Sequence, residues 1–358
     1  MVLVSMPANT TVLAINDDNP FNDGPVYSIY DEDFQLLFQK DDVSVGDSYL
    51  SGDLKYYEVV FIDEDSRNGF AKFVKDVELP SVDKSLMPSP IKIERRVIGM
   101  YMTHNDESYV PSDGVSSIYG NGGIKDVALK FKYELEKYMI DVYFDDTLHI
   151  PHDSNAYSRS NKTAKSLMTK YNPDALFDIH RDGASRSFYV TNVNGKERSR
   201  VRLVVGKANP NMDLNEDFAL YIFAVGKKLY PWLFTDIFYA SGHYNQALSS
   251  KAILFEMGSH LVEKELVKDS MTELAEVVTT ALYNTTVNTE TGDLTINGVE
   301  TENDKTINDI MEEREEQDMG VMVAIIISIV LIASVCIYAT WFFYKTYRKS
   351  LISKKSEK

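Results

Sequence analysis

Three apolar runs, each ending at a side chain that can bind a metal or transfer a proton, constrain the fold of this sequence most. Their aliphatic and aromatic residues and their length are typical of buried strands. The runs and the residues that end them are 95–102 with His104, 175–179 with His180, and 251–255 with Glu256. Because ligands bind open α/β sheets outside the carboxyl ends of the strands, we expect these three side chains to meet at one site.

Amphipathic helical patterns alternate with these strands. They cover residues 126–135, 215–228 and 262–282. Strands and helices that alternate every 30–40 residues or so are typical of βαβ units. The sequence therefore predicts an α/β domain with a mostly parallel sheet flanked by helices.

A small β-rich module is predicted to precede this domain. Residues 59–63 and 70–74 have strand character, and the Asn68-Gly69 pair between them suits a hairpin turn because it tolerates positive φ. The module is either a packing extension of the α/β domain or an independent binding module.

A His-x-x-Glu pair opens the candidate site. His104 and Glu107, together with His180, offer the nitrogen and oxygen ligands of a mononuclear zinc hydrolase, which keeps one coordination position open for water. Glu256 could then act as the general base. A glutamate in an apolar strand is costly unless it is paired or protonated, so a buried salt bridge to a lysine is the structural alternative.

An uninterrupted apolar run at 321–344 predicts a transmembrane helix, placed at 319–344, since about 20 residues span a bilayer. The tail 345–358 carries six Lys/Arg and one Glu, whereas 300–318 carries nine Asp/Glu and two Lys/Arg. The positive-inside rule then predicts a single-pass cell-membrane protein with a cytoplasmic carboxyl terminus and an extracytoplasmic catalytic domain. Residues 1–7 make a poor signal peptide, so either the true start lies upstream or this weak segment suffices for export.

Charge and cysteine content exclude several classes of function. The net charge of −17 argues against nucleic-acid partners, whose phosphates require a basic surface. The single cysteine, Cys336, lies inside the predicted span, which excludes an intramolecular disulfide and thiolate chemistry.

Three strings in this order resemble the stage II sporulation protein P family: THNDESY at 103–109 with Pro111 after it, DIHRD at 178–182, and the stretch YNQALSS-AILFEMG within 244–258. The family comprises cell-wall amidases and endopeptidases of endospore-forming bacteria, with a fold similar to the zinc N-acetylmuramoyl-L-alanine amidases. The resemblance covers about residues 95–285. Met102 departs from it, since the family typically has a further histidine there.

The resemblance implies a membrane-anchored Zn²⁺ enzyme that cleaves the amide between N-acetylmuramic acid and L-alanine in peptidoglycan, and stem-peptide cross-links as a further activity. It also implies partners in the engulfment machinery, namely a lytic transglycosylase and a membrane protein. Two alternatives stay open. A zinc carboxypeptidase would need Arg159 or Arg186 to grip a free carboxylate, and a wall-binding scaffold would have a degenerate site.

Further residues receive roles in this interpretation. Asp178 and Asp182 could each orient the His180 imidazole, or could only be solvated at the strand end. Arg181 is a substrate-binding candidate for an oxyanion or a stem-peptide carboxylate, with a salt bridge as its alternative. The resemblance favours Asn245 and Gln246 as groups that bind a peptide backbone, and a turn is their alternative.

The predicted segments follow from these observations. They are a disordered amino-terminal segment 1–22, the β-rich module 23–92, the zinc amidase domain 93–285, an acidic stalk 286–318, the transmembrane helix 319–344 and the basic tail 345–358.

Overall fold

The computed structural model describes residues 26–82, 95–153 and 155–283, together with the backbone of 285–287 and 294–296. Within these ranges no helix is long and apolar enough to cross a membrane. The predicted segment 1–22, the predicted span 319–344 and the tail 345–358 lie outside the described residues, as does most of the predicted stalk.

Strands and short to medium helices alternate along the described chain. The strands are β1 Tyr27–Tyr30, β2 Leu36–Lys40, β3 Ser48–Leu50, β4 Lys55–Asp63, β5 Asn68–Asp76, β6 Val97–Tyr101, β7 Asp141–Asp145, β8 Ala175–Asp182, β9 Val190–Val193, β10 Lys196–Ser199, β11 Val201–Gly206, β12 Phe234–Ala240, β13 Ala252–Ser259, β14 Thr285–Val287 and β15 Leu294–Ile296. The helices are α1 Val110–Asp113, α2 Ile124–Glu136, α3 Ala156–Tyr171, α4 Arg186–Tyr189, α5 Met212–Leu229, α6 Lys264–Asp269 and α7 Met271–Tyr283, with a 3-10 turn at Gln246–Leu248.

Eleven strands form one sheet in the order β2-β1-β5-β4-β3-β12-β11-β13-β8-β6-β7. The strands β13, β8, β6 and β7 run parallel to one another, as the sequence predicts. However, β11 is antiparallel to β13, and β3 is antiparallel to β12. The expectation of a mostly parallel sheet is therefore wrong for the sheet as a whole, which is mixed: β11 runs against β13 within the α/β part, and hairpins, not helical crossovers, connect β3, β4 and β5.

The helices α2, α5 and α7 cover one face of the sheet. In α2 the buried positions recur every three or four residues, and Phe131 packs on the rings of Phe177 in β8 and Phe255 in β13, with centroids 6.3 and 5.9 Å away. The helix α7 packs against both α2 and α5. Since side chains alternate along a strand, His180 and Glu256 lie on the opposite face from Phe177 and Phe255.

The opposite face is covered by α3 and by the amino-terminal strands. Leu176 and Ala252 form a buried cluster with Ala164 and Leu167 of α3. Farther along the sheet, a second cluster joins Val204, Phe238 and Leu254 to residues of β1–β5, including Phe38. The site residues on this face therefore lie between two covering layers.

The amino-terminal module belongs to the same sheet. Its β4 and β5 pair antiparallel on either side of a turn, which confirms the hairpin. The turn is not made by Asn68-Gly69, however, because these residues begin β5 opposite Asp63 and Ile62 and the positive φ falls at Arg67. Its β3 pairs with β12, so the hydrogen-bonded ladder runs from this module into the α/β part without a break. A packing extension describes this arrangement, because the module buries its apolar face on the α/β part.

Candidate functional site

The residues that the sequence predicts for the site, His104, Glu107, His180 and Glu256, line one cavity of about 620 Å³. His180 and Glu256 lie directly opposite each other on the parallel strands β8 and β13, and His104 follows β6. The remaining lining residues are Lys40, Asp41, Asp42, Asp106, Ser117, Tyr119, Ile150, Pro151, His152, Tyr157, Arg181, Val204, Tyr244 and Leu254.

Two carboxylates flank the buried imidazole of His180. Its Nδ1 lies 3.2 Å from Oε1 of Glu107, and its Nε2 lies 3.0 Å from Oδ1 of Asp178 without the alignment of a hydrogen bond. Burial opposes a charge on the ring, but the two carboxylates outweigh it and raise the pKa of His180 well above its usual range. Asp178 is held by Thr103, whose backbone N–H and hydroxyl donate to it at 2.8 and 2.6 Å.

Glu107 has both carboxylate oxygens in contact with β8. Besides its contact with His180, it accepts a hydrogen bond from the backbone N–H of Arg181 at 2.9 Å. The exposed fraction of Glu107 is only 4%. A carboxylate in this position can orient the imidazole of a metal-binding histidine and can also provide a ligand oxygen.

His104 stacks on a histidine that the sequence interpretation did not include. The rings of His104 and His152 lie 3.8 Å apart at an angle of 10°, and those of His104 and His180 lie 5.2 Å apart. Burial, with the neighbouring imidazoles, lowers the pKa of His104 well below its usual range, which favours the neutral form that binds metals.

Asp106 completes a second possible ligand group. Its Oδ1 lies 3.1 Å from Nδ1 of His152. In His104, Asp106 and His152 one ligand atom each lies within 4.8 Å of the others, and this is the one such metal-competent group in the described part of the chain. The interval between residues 104 and 152 carries no metal-ligand spacing, so only the loop after β7 brings His152 to the site.

Glu256 is buried and paired with a lysine. Oε1 accepts a hydrogen bond from Nζ of Lys40 at 3.0 Å, whereas the buried Oε2 has no hydrogen-bond partner. Burial raises the pKa of Glu256 to about 7, and the ammonium of Lys40 opposes this rise. The buried salt bridge to a lysine, which the sequence presented as the alternative, is therefore present, and the role of Glu256 as a general base stays a prediction.

Lys40 also contacts Asp182, which belongs to a buried network of charges. Lys40 donates to Asp182 Oδ1 at 3.0 Å, and Tyr189 and Arg202 donate to Oδ2 of the same carboxylate. Arg202 in turn holds Asp236 through Nε at 2.6 Å. Asp182 thus anchors Lys40 and does not contact the His180 ring, so the expectation that it orients that ring has no support here, whereas Asp178 lies beside it.

Arg181 lines the cavity, but its guanidinium is committed to the backbone. Nε donates to the carbonyl of Ser108 at 3.1 Å and Nη2 to that of Ser116 at 2.7 Å. The side chain therefore stabilises the loop that follows Glu107. Its role in substrate binding stays a prediction.

Asn245 and Gln246 are positioned by internal hydrogen bonds. Asn245 donates to Ser160 Oγ at 2.9 Å and accepts from Asn161 at 2.8 Å, and Gln246 bridges Gly206 N–H and the Val204 carbonyl in β11 at 2.7 and 2.8 Å. Neither Asn245 nor Gln246 belongs to the described cavity lining. Their predicted contact with a peptide backbone is untested.

A glycine allows the loop that carries Asp106 and Glu107 to approach α2 closely. A Cβ added to Gly122 would lie 2.2 Å from the carbonyl oxygen of Glu107, and Gly122 N–H donates to the carbonyl of Asn105 at 2.8 Å. The glycine-rich run at 120–123 thus packs directly against the backbone of the loop that carries Asp106 and Glu107.

The match to a family model decides the classification of the chain. The model described as "Stage II sporulation protein P (SpoIIP)" matches residues 56–279, which is more than half of the sequence. The chain belongs to the stage II sporulation protein P family. The match includes both the α/β part and the strands β4 and β5 of the amino-terminal module, so this family unit begins before the boundary that the sequence predicts at residue 93.

One curated relative of this family member is "Stage II sporulation protein P" of Bacillus subtilis (strain 168), 29% identical over 184 residues, which are 46% of this chain and 46% of the relative. The match thus spans less than half the length of that relative. Solved structures with distant similarity include an N-acetylmuramoyl-L-alanine amidase from Clostridium difficile 630, with 16% identity, a TM-score of 0.36 and coverage of 53% of this chain and 96% of the amidase. The CwlD amidase from Clostridioides difficile has 15% identity and a TM-score of 0.38, and the match covers 53% of this chain and 98% of that amidase.

The cavity of this stage II sporulation protein P family member has donor atoms that fit a zinc ion. Nδ1 of His104 is a buried nitrogen without a hydrogen-bond partner, whereas in His180 Nε2 lies 3.0 Å from Asp178 and Nδ1 faces Glu107 at 3.2 Å. Buried polar atoms are normally paired, so an orphaned imidazole nitrogen at a cavity requires a partner from outside the chain. Imidazole nitrogen and carboxylate oxygen are the donors that zinc takes in catalytic sites.

Proposed function

We propose that this protein is a zinc-dependent peptidoglycan hydrolase of sporulation that cleaves the amide between N-acetylmuramic acid and L-alanine. One observation carries the proposal: His104 Nδ1 and Glu256 Oε2 are buried without hydrogen-bond partners, His180 Nδ1 faces Glu107 Oε1 at 3.2 Å, and these residues line one cavity. Two ligand nitrogens and one basic oxygen are the groups that a metal-assisted hydrolysis of an amide needs. Membership of the stage II sporulation protein P family supports the substrate class.

In this proposal His104, Glu107 and His180 would hold the metal, and Glu256 transfers the proton. A bound zinc ion would supply a Lewis acid that polarises the carbonyl of the scissile amide. Glu256 takes a proton from the water whose oxygen bonds to the carbonyl carbon. It then gives that proton to the amide nitrogen as the C–N bond breaks, which leaves a lactyl carboxylate and the amino group of alanine.

A specific observation favours a second ligand set for the same chemistry. His104, Asp106 and His152 have ligand atoms within 4.8 Å of one another. Both oxygens of Glu107, by contrast, already contact His180 and Arg181. His180 and His152 therefore distinguish the two sets.

Zinc content of the full-length protein, measured by mass spectrometry of the metal, tests the assignment. We expect one zinc in the wild type and in His152→Ala, and its loss, together with hydrolysis, in His180→Ala. Loss in His152→Ala with retention in His180→Ala would transfer ligation to the second set. A wild type that binds no zinc would refute the zinc proposal altogether.

The bond cleaved is read from the products of purified sacculi, separated by chromatography. Release of peptides with a new amino-terminal alanine supports the amidase, whereas cleavage between stem peptides supports the endopeptidase activity that the resemblance also implies.

The carboxypeptidase alternative receives no support from the two arginines it would need. Arg186 pairs with Glu197 and Glu263, Arg159 donates to backbone carbonyls and Asp153, and the described cavity lining includes neither arginine.

We also propose, from the sequence, that the catalytic domain lies outside the cell membrane and the basic tail 345–358 inside. Protease added to intact protoplasts should then remove the domain and spare a tag at the carboxyl terminus. A protected domain would reverse the orientation. The partners in the engulfment machinery, a lytic transglycosylase and a membrane protein, belong to the same proposal.

A further inference from the structure

The edge strand β2 brings a charged side chain into the cavity from a distant part of the sheet. In the order of the sheet, six strands separate β2 from β13, which carries Glu256. Nevertheless Nζ of Lys40, the last residue of β2, lies 3.0 Å from Oε1 of Glu256. The amino-terminal strands must therefore curl back over the face of the sheet that bears the site.

Consecutive residues fix β2 in this position. Phe38 is fully buried, and its ring lies 5.4 Å from that of Phe238 in β12. The carbonyl of Gln39 accepts a hydrogen bond from Arg202 at 3.2 Å. Lys40 itself is only 8% exposed, so its ammonium group has little freedom to leave the site.

Lys40 decides which oxygen of Glu256 is available. Within the described residues, it is the one cation in ion-pair contact with this carboxylate. Because Oε1 accepts from Lys40, the unpartnered Oε2 is the oxygen left to take a proton. A carboxylate that must abstract a proton needs one oxygen held in a fixed position.

The other contact of Lys40 does not depend on it. Asp182 also accepts hydrogen bonds from Tyr189 and Arg202, so it keeps two partners when Lys40 is removed. Glu256 has no such substitute. Removal of Lys40 therefore mainly affects Glu256, which loses its ion-pair partner.

We propose that Lys40 is the positioning residue for Glu256, so that the amino-terminal module completes the active site. This inference rests on the proposed function, in which Glu256 is the base. It predicts that residues 26–82 contribute to turnover through one side chain as well as through packing.

The first test compares Lys40→Met with Lys207→Met in the full-length protein. Nζ of Lys207 also joins the two parts, since it donates to the carbonyl of Gly46 at 2.7 Å and to Ser48 Oγ at 3.1 Å, but it lies outside the described cavity lining. On a soluble muramoyl-alanyl peptide, we expect Lys40→Met to lower kcat by about 10–100-fold, the scale of a misplaced catalytic group, while KM changes little and the wild-type metal content is kept. Lys207→Met should keep a kcat near that of the wild type. Equal losses in both variants would reduce Lys40 to a packing role.

The second test is a double-mutant cycle with Glu256→Gln. If Lys40 acts through Glu256, then Lys40→Met should lower kcat little further in the Glu256→Gln background. Independent, multiplicative losses would overturn the proposal. If Lys40→Met does not fold, Lys40→Gln takes its place in both tests.

The same cycle measured by thermal unfolding separates this inference from the proposed function. We expect Lys40→Met to lower Tm more in the wild-type background, where it leaves Glu256 unpaired, than in the Glu256→Gln background. A wild type without hydrolytic activity would refute the proposed function, and the unfolding cycle would still decide the role of Lys40. Equal Tm shifts in both backgrounds would contradict it.

Discussion

Glu256 occupies a strand whose other residues are apolar or small, and its exposed fraction is 5%. A carboxylate in such an environment is costly unless it is paired or protonated. Its pKa of about 7, raised by burial against the opposing charge of Lys40, is suited to a group that both accepts and donates a proton near neutral pH. The imidazole of His180 belongs to the residue paired with Glu256 on the neighbouring strand β8.

Glu256→Gln should abolish most turnover and retain zinc. The amide keeps the shape of the side chain but cannot accept a proton, and loss of a general base typically costs about 10²–10⁴ in rate. Muropeptide release from sacculi and metal content, measured on the same preparation, check this. If the variant loses its zinc, Glu256 is a ligand, and if it keeps near-native activity, the base lies elsewhere.

Arg202→Met should destabilise the protein strongly. Arg202 is fully buried and contacts both Asp182 and Asp236, which would remain as poorly compensated buried charges. Breaking a buried ion pair from one side typically costs about 3–5 kcal/mol. Urea unfolding measures this loss.

Arg186→Met is the matched control for that loss. Arg186 also contacts two carboxylates, Glu197 and Glu263, but its side chain is 36% exposed. Solvent screens such pairs, so we expect a loss of about 1 kcal/mol or less. Similar losses in the two variants would contradict the importance of burial.

At the scale of elements, a glycine lets β13 continue past Glu256. The register between β13 and β8 shifts between Glu256 and Ser259, and Gly258 within this irregular stretch has φ +73°. A Cβ at this position would also lie 2.7 Å from Cγ2 of Val267. The sequence predicts a strand here, but its bulge depends on the contacts with α6.

Gly258→Ala should lower the free energy of unfolding more than its control variant, Gly195→Ala, does. Gly195, in the β9–β10 turn, has φ +82° but nothing within 4 Å of an added Cβ. Strain alone costs about 1–2 kcal/mol there. At Gly258 the clash adds roughly 1–3 kcal/mol. If urea unfolding gives equal free energies for the two variants, the Val267 side chain moves away from the added Cβ without loss of stability.

At the scale of the whole molecule, the two predicted units within the described residues share one core. Phe38 and Tyr57 from the amino-terminal strands pack in the same buried cluster as Phe238 and Leu254. The strand pair β3–β12 adds a hydrogen-bonded ladder between them. Separation of the two parts would expose an apolar face on each.

We therefore expect residues 26–283 to unfold in a single calorimetric transition. Phe38→Ala should shift that transition as a whole, at a cost of about 3–5 kcal/mol for a buried phenylalanine. Scanning calorimetry checks this, with the fluorescence of Trp232, the one tryptophan within residues 26–283 and part of the α/β part, as a second probe. Two separated transitions would instead support an independent binding module.

The family, the principal strands and the meeting of His104, Glu107, His180 and Glu256 at one cavity were predictable from the sequence. Their signals are local: an apolar run that ends in His180 or Glu256 reports both the strand and the residue at its end. The amphipathic pattern likewise predicted α2 and α5, although the pattern at 262–282 is divided into α6 and α7 at Ser270.

Only the tertiary structure decided the mixed direction of the sheet and the presence of Lys40, Asp106 and His152 at the cavity. The direction of β11 relative to β13 depends on how the chain returns between them, and neither residue pattern nor spacing records this path. Lys40 precedes Glu256 by 216 positions. A single lysine in an acidic, aromatic segment is ordinarily a solvated surface residue, and it becomes part of the site only because the strands that carry it fold over the same face of the sheet.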